Sequence, residues 1–523
     1  LDFGGLMKGK RNWKVRFVAL LNKLLLFFRW ITNERELLNY KMQSWYTPKR
    51  VAFFTALAVC LILIVMLFIP PYLGVADDGS LYGVMNRAGL THEEKNPYNN
   101  YFVKKYMVGS ISSKGSYLEN SQNLFINIAK FIDKTITNDL YFDVRFLALI
   151  YGILYIPAVY LIVKHACMRM LYFSEAILVA IAALFIFADI SYLTYFNSLY
   201  PEALWAICLF YVTGWICNFT KNSGSFLSLI MFGIFGVILC TSRQQCGIIG
   251  FLLAGFCLKA AFLNKNFIWK GCCILITIVL SVAGVVSLFT LESDFSISSK
   301  HHAMTRGVLF QASNPEKALN EFGIDSSYAV LAKTSAYDPY PFVIAGSRQL
   351  YDGFYNKYTY FDIALYYFKH PVAFIKMMDI AVKGTINLRR SFCSNYEKSA
   401  GMPAMAQSIF WSGWSFFKEK YMPKTIGFLI VLLALAFAFY SRKKRLNSGS
   451  NDEKIKQHML DMILLIAGIG ISQAIISIIM SGDAEITQHA FLLGAGIDII
   501  FYFIMVEAIR DLSIFQDGRD AVK

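Results

Sequence analysis

The sequence predicts an all-α polytopic membrane protein of about ten transmembrane helices, and three observations carry that expectation. The chain of 523 residues is 56% hydrophobic and 16% aromatic with only 16% charged residues, a balance foreign to an ordinary soluble domain. Its apolar runs recur at lengths suited to crossing a bilayer. Its basic residues gather in alternate loops: eleven Lys and Arg against three acids precede Val51, and Lys164/Arg169, Lys221, Lys265/Lys270 and Arg442-Lys443-Lys444-Arg445 follow. That is the positive-inside pattern, so the net charge of +15 implies cytoplasmic loops and no nucleic-acid partner.

Residues 1–46 form a basic cytoplasmic or interfacial segment. Within it the apolar stretch 13–31 is interrupted by Lys23 and surrounded by Lys14, Arg16 and Arg29, which suits a helix lying in the interface better than a span. No cleavable signal is read ahead of the first span, and a chain opening on Leu1 reads either as a fragment or as one started at a leucine codon. A transmembrane module over 47–290 holds expected spans at 51–70, 146–164, 171–189, 201–218, 225–241, 246–263 and 269–290. The C-terminal part, 424–523, adds 424–440, 459–480, 490–507 and a short tail. Both ends then face the cytoplasm.

Two outer segments exceed what a connection needs. The first, 71–145, carries an amphipathic stretch at 123–132 suited to a re-entrant or interfacial helix. The second, 291–423, is too hydrophobic for disorder and has helical stretches near 315–323 and 361–385. It is expected to fold over the membrane face as a lid or small mixed domain. The polar run 447–451 reads as a flexible cytoplasmic linker. Of ten cysteines, most lie in apolar spans and Cys393 alone lies in the second outer segment, so neither a disulfide framework nor a zinc spacing is implied.

With this topology the unusual polar groups collect on the outer side. Directly after the first span stands Pro70-Pro71-Tyr72-Leu73-Gly74-Val75-Ala76-Asp77-Asp78-Gly79-Ser80-Leu81-Tyr82. Adjacent carboxylates at a lipid boundary raise one another's pKa, which suits a group that takes a proton from a sugar hydroxyl; the same residues also suit a solvated turn. After the third span comes a hairpin with Tyr195, Asn197, Ser198, Pro201 and Glu202, in which Asn197 and Ser198 could cap the next helix. Between the fifth and sixth spans, Ser242-Arg243-Gln244-Gln245 puts a guanidinium in the membrane with almost no loop around it. An anionic partner such as a phosphate would offset that burial; snorkelling to the headgroups is the other reading.

Lys300, His302 and Arg306 open the second long segment and could form an anion-binding edge, or a solvated basic loop; the adjacent His301 and His302 do not read as a metal site. The last outer loop contributes Asp483, Glu485 and His489. Asp498 falls within the final span, where an ionisable group is a functional candidate or is paired structurally.

The Asp-x-x-x-Tyr pattern at Asp78 and Tyr82, the Tyr195-Phe196-Asn197-Ser198-x-Tyr200-x-Glu202 hairpin and the Ser242-Arg243-Gln244-Gln245 junction together resemble the multi-spanning GT-C glycosyltransferases of bacterial surface-glycan pathways. The stretches from His302 to Leu309, from Ser313 to Gly323 and from Gly482 to His489 are similar to that group as well. The resemblance implies a GT-C fold and a catalytic acid in the first outer loop, with Asp78 the best match and Asp77 the close alternative. It also implies a lipid-linked donor and a membrane-embedded cleft under an outer domain. Arg243 stands where lysine is common, and the loop at Asp483 lacks a second glycine.

On this reading the chain is a multi-pass protein of the bacterial cytoplasmic membrane, active on its outer side. It moves a sugar from a polyprenyl-phosphate carrier to an extracytoplasmic glycan, polymer or lipid acceptor, with inversion. Asp78 is the general base, Arg243 the first choice for stabilising the leaving phosphate and Arg306 or His302 the second. Tyr82, Tyr195, Asn197, Glu202, Gln245, Asp483 and His489 are further substrate-binding candidates. No cofactor is required, although the paired acids with Glu202 could hold a divalent ion. A lipid-linked glycan flippase should instead place polar groups near the bilayer midplane, and an O-antigen-type polymerase or ligase should rely on arginine-rich loop chemistry.

Overall fold

The computed structural model describes residues 33–77, 81–92, 100–109, 120–219, 225–263, 266–290, 297–338, 346–441, 450–484 and 486–511. The stretch 13–31 lies outside them, as does most of the linker 447–451, of which 450 and 451 already belong to a helix.

Helices dominate in the order the apolar runs dictate. The first, α1 (Pro48–Phe68), starts at Thr47, whose hydroxyl accepts from the Arg50 N–H, with Pro48 in the first turn. Then come α2 (Tyr82–Ala88), α3 (Ser121–Thr137), α4 (Arg145–Met168), α5 (Phe173–Phe187), α6 (Ile190–Leu193), α7 (Glu202–Phe219), α8 (Phe226–Cys240), α9 (Gly247–Leu263) and α10 (Phe267–Thr290). The second long segment adds α11 (Ile297–His302), α12 (Pro315–Glu321), α13 (Tyr360–Lys369), α14 (Pro371–Thr385) and α15 (Gly413–Tyr421). The chain closes with α16 (Ile426–Ser441), α17 (Ser450–Ser481), α18 (Ile486–His489) and α19 (Phe491–Asp511). The second long segment breaks into α13 and α14 at His370 because Pro371 follows it, which disfavours helical backbone at the preceding residue.

Among the described residues seven helices are long and apolar enough to cross a bilayer, or up to nine if each of two bent pairs makes one span. The protein is therefore polytopic, with fewer qualifying crossings than the ten expected. α8 has only 15 residues, and the helices at the third and eighth expected spans, α5 and α16, have 15 and 16 and qualify only together with a neighbour bent against them, by 46° after α5 and by 116° between α15 and α16. Even so, α8 joins opposite ends of the bundle. Phe226 at its start meets Trp269, as does Phe219, while at its far end Ile238 and Thr241 accept hydrogen bonds from Ser121 in the first outer segment.

α7 sits at the centre, buried on nearly every side, with α4 and α8 against it, so Glu202 at its head lies inside protein and away from lipid. α3 confirms the amphipathic stretch and gives it a direction. Leu124, Phe131 and Ile136 are exposed while Gln122, Asn123 and Asp133 are buried, the arrangement of a helix whose apolar face meets lipid.

Short strands tie the two long inter-span segments together. β1 (Leu73–Val75) pairs antiparallel with β5 (Cys393–Tyr396), and β2 (Leu90–Thr91), β3 (Lys105–Val108) and β4 (Tyr141–Asp143) form an antiparallel sheet. Phe102 bridges Ala76 and Glu397, and its ring lies on Gly74, where an added Cβ would sit 2.2 Å from a ring carbon. The close approach of ring to backbone there needs glycine.

Candidate functional site

The pairing of β1 with β5 decides which groups meet. It is bulged: Gly74 faces Asn395 and Val75 faces Cys393, while Ser394 between them takes a left-handed φ of 67°. A bulge re-aims the residues around it, and here it turns the segment after the first span toward Arg390 and Phe392. The Ala76 N–H donates to the Phe392 carbonyl across 2.8 Å, which sets Asp77 beside that segment.

Asp77 is almost fully buried, and its Oδ2 lies 2.8 Å from His92 Nε2. Burial and the neighbouring Asp77 carboxylate both push the Tyr106 phenol well above its usual range, so the acid sits in a poorly solvated site. Asp78 lies outside the described residues, as do Glu485 and the Tyr82 side chain. His92 was not singled out by the sequence, and nothing in its local pattern marks it.

Arg390 is the second group the sequence missed. It is about nine-tenths buried; Nη2 donates to Glu202 Oε1 at 2.7 Å and Nε to the Tyr195 hydroxyl at 3.1 Å. Its guanidinium also lies 4.4 Å from the Phe392 ring centre. Cys393 Sγ donates to the same Tyr195 hydroxyl at 3.1 Å. Glu202 and Tyr195, expected to face substrate, thus hold Arg390 instead, and an arginine buried with such partners is fixed rather than floating. The only sequence signal was an Arg-Arg pair ahead of a short β-prone run.

Arg243 completes the cluster from the other side. Its carbonyl accepts from Ser287 Oγ, its neighbour Ser242 accepts from Trp205 Nε1 at 2.8 Å, and Gln244 Nε2 donates to the Leu288 carbonyl. These bonds staple the turn between α8 and α9 to α7 and α10. The guanidinium is buried, 5.8 Å from the Trp205 ring centre, and its charge reaches Glu202. The snorkelling reading of Arg243 does not hold, because the side chain points into protein.

Other expected site residues serve the frame. Asn197 does not cap α7; its Nδ2 donates to the carbonyls of Leu67 and Leu73, clamping the exit of α1. Gln245 donates to the His489 carbonyl, and its own carbonyl accepts from Gln473 Nε2, joining the α8–α9 turn to α17 and α18. Arg306 is forked onto Asp483, with Nε to Oδ1 at 2.8 Å and Nη2 to Oδ2 at 3.2 Å, so its charge is already met.

The anion-binding edge expected at Lys300, His302 and Arg306 is not formed. His302 Nε2 accepts the Ala336 N–H, which makes it the unprotonated nitrogen, and burial, His301 and Arg306 lower its pKa to about 4. Lys300 instead lies 5.2 Å from the Tyr358 ring centre. Asp498, whose partner could not be read from sequence, accepts from Lys418 Nζ at 2.8 Å and from the Tyr192 hydroxyl at 2.7 Å. Among the described residues no group of three His, Cys, Asp or Glu side chains is placed to hold a metal ion.

The arrangement is therefore a buried carboxylate after β1, on a strand pairing that also brings in the segment of Arg390, and a cationic cluster of Arg390 and Arg243 around Glu202. A family model described as the YfdI N-terminal transmembrane domain matches residues 38–523. No curated protein and no solved structure matches the chain.

Proposed function

The chain belongs to the YfdI N-terminal transmembrane domain family, and from that premise we propose that it is a GT-C-type glycosyltransferase of the bacterial cytoplasmic membrane, transferring a sugar from a polyprenyl-phosphate carrier on the outer side. One observation carries the reading. The bulged β1–β5 pairing sets Asp77 beside the segment that carries Arg390, which Glu202 and Tyr195 hold in place. A carboxylate next to buried guanidinium groups is what transfer from a sugar phosphate needs.

The acid pair removes the proton from the acceptor hydroxyl, with Asp78 or Asp77 as base. The acceptor oxygen bonds to the anomeric carbon as the bond from that carbon to the phosphate oxygen breaks, inverting the centre. The carrier leaves as a phosphate monoester with the electron pair. Arg390 and Arg243 oppose the charge that gathers on it, which a fixed, desolvated guanidinium does better than a solvated one. A phosphate leaving group does not demand a general acid or a metal. The acceptor is an extracytoplasmic glycan, polymer or lipid.

A lipid-linked glycan flippase is the rival reading, and the test separates the two. The test is the composition of surface glycans by mass spectrometry in a strain lacking the gene, complemented with wild type, Asp77→Asn or Asp78→Asn at matched membrane levels. One sugar substituent should vanish on deletion and return with wild type but not with at least one of the variants. Loss of whole lipid-linked glycans from the outer leaflet, or full rescue by both variants, would overturn the reading.

A further inference from the structure

The helical hairpin α13–α14 carries features the transfer reading does not use. Between it and α12 lies a cleft of about 530 Å³ lined by Asn314, Lys317, Tyr366, Lys369, His370 and Lys376, among others. Three lysines reach into it, and among the described residues none of the three has a carboxylate at ion-pair distance. The cleft's one acid, Glu321, is taken by His370 Nε2 at 3.1 Å, and the Tyr366 ring centre packs 4.3 Å from that imidazole. The cleft is thus cationic, three lysines against one carboxylate that already bonds to His370.

The outer face of the same hairpin is apolar. Phe361, Leu365 and Phe368 recur at helical spacing along α13, and Val372 and Ile375 continue the stripe on α14, with Phe361 76%, Phe368 84% and Val372 66% exposed. Such a stripe is unsuited to water. Its level relative to the bilayer follows from what holds α14. Asp379 Oδ1 accepts the N–H of Ile426, the first residue of α16, and Gly384 packs on Thr487, just ahead of α19. α14 therefore crosses the ends of two apolar helices at one height and runs along the membrane boundary, where α16 itself exposes Ile430 and Val431 to lipid.

We propose that the α13–α14 hairpin lies in the outer leaflet with Phe361, Leu365, Phe368, Val372 and Ile375 among the acyl chains, and that Lys317, Lys369 and Lys376 hold the phosphate of an anionic phospholipid headgroup in the adjoining cleft. The charge complementarity and the continuity of the stripe with the bundle's lipid-facing surface select a lipid over a soluble anion. Since α14 is about 22 Å long, the headgroup sits well away from Arg390, and the contact fixes the hairpin that delivers Arg390 to the site.

The test uses the full chain reconstituted in phosphatidylcholine nanodiscs carrying bromine-labelled acyl chains on either phosphatidylcholine or phosphatidylglycerol. Phe368→Trp supplies the reporter, and Tyr337→Trp, in the same outer region but off the stripe, is the reference. Quenching of the added Phe368→Trp indole should exceed the reference with either label. Per brominated lipid it should be stronger for phosphatidylglycerol, with enrichment of about fivefold for each lysine engaged. Adding Lys317→Gln, Lys369→Gln and Lys376→Gln should remove that preference and leave quenching by phosphatidylcholine intact. Quenching no greater than the reference would overturn the membrane contact, and quenching without a phosphatidylglycerol preference, or a preference that survives the three glutamines, would overturn the headgroup site.

Discussion

Arg390 reaches Glu202 across 2.7 Å of space and 188 residues of sequence, joining the loop after α14 to the head of the central helix. Glu202 is fully buried, and its Oε2 has no hydrogen-bond partner among the described residues. Removing one partner of a buried pair leaves the other charge uncompensated, at about 3–5 kcal/mol. Arg390→Ala should therefore lower the melting temperature as well as abolish transfer. Arg390→Lys should fold, because the charge survives, yet lose transfer by about two orders of magnitude, because an ammonium cannot serve Glu202, Tyr195 and a phosphate together. A thermal melt beside an assay of sugar release from the carrier separates the two effects. Wild-type transfer by Arg390→Lys would remove Arg390 from the chemistry.

The acid pair calls for a comparison within itself. Asp77→Asn keeps the shape and the contact with His92 while removing the base, so a catalytic Asp77 predicts a drop in kcat of about 10²–10⁴ with KM little changed. His92→Gln should cost less, since the imidazole only orients the carboxylate. If Asp77→Asn is near wild type and Asp78→Asn is dead, Asp77 is a positioning residue and its neighbour is the base.

His301 and His302 make the outer region acid-sensitive, with a sign that can be worked out. Burial lowers the pKa of both to about 4, while an unfolded imidazole titrates near ~6.5. Above the unfolded value both states hold neutral rings and the stability is complete. As pH falls toward 4 the unfolded chain takes up protons that the folded one refuses, so stability declines through that window and levels off below it. Hydrogen exchange over 297–338, corrected for its intrinsic pH dependence, should show protection falling between about pH 6.5 and about pH 4. Asn in place of both histidines should flatten the profile, and a profile unchanged by Asn would assign the decline to other groups.

The apolar periodicity and the basic loops made the bundle legible, because span length and loop charge are local properties of sequence. α3 was legible for the same reason. The bend between α15 and α16 was not, since nothing in the apolar run from 424 announces that the helix before it turns by 116°. The candidate site was legible in part. Asp77, Glu202 and Arg243 stood out because ionisable groups near membrane spans are expensive. Arg390 and His92 did not, because each sits in an ordinary polar stretch and gains its meaning from a contact with another segment, Arg390 from β1 pairing with β5 and His92 from Asp77. His302 and Arg306 misled for the converse reason: their formal charge was visible, but the Ala336 N–H and Asp483 that use them lie elsewhere in the chain.

Gly482 offers a test of the frame apart from the chemistry. Its φ is 63°, and an added Cβ would sit 2.6 Å from the Arg306 carbonyl carbon and from the Gly307 nitrogen, both backbone atoms that cannot swing away. Gly482→Ala should separate α17 from the turn at Arg306 and weaken its fork onto Asp483, destabilising by about 1–3 kcal/mol. Restored melting on combining Gly482→Ala with Arg306→Ala is not expected, because the clash is with the main chain. A neutral Gly482→Ala would mean that the loop has room to shift.

Lys418 and Asp498 are both fully buried, 2.8 Å apart, with the Tyr192 hydroxyl on the same carboxylate. The pair fastens α15 to α19, and the α15 N-terminus is held by Asp189, whose Oδ2 accepts the N–H groups of Trp414 and Ser415. Two desolvated charges add little net stability, but one alone is costly. Lys418→Met should therefore destabilise by about 3–5 kcal/mol, while Lys418→Met combined with Asp498→Leu should recover most of it. Thermal melts of the two single variants and the double close the cycle. If the double variant melts as stably as wild type and still transfers sugar, the pair is structural. Wild-type stability without transfer would mean that this ion pair, through its bond to Tyr192, positions the segment that carries Tyr195.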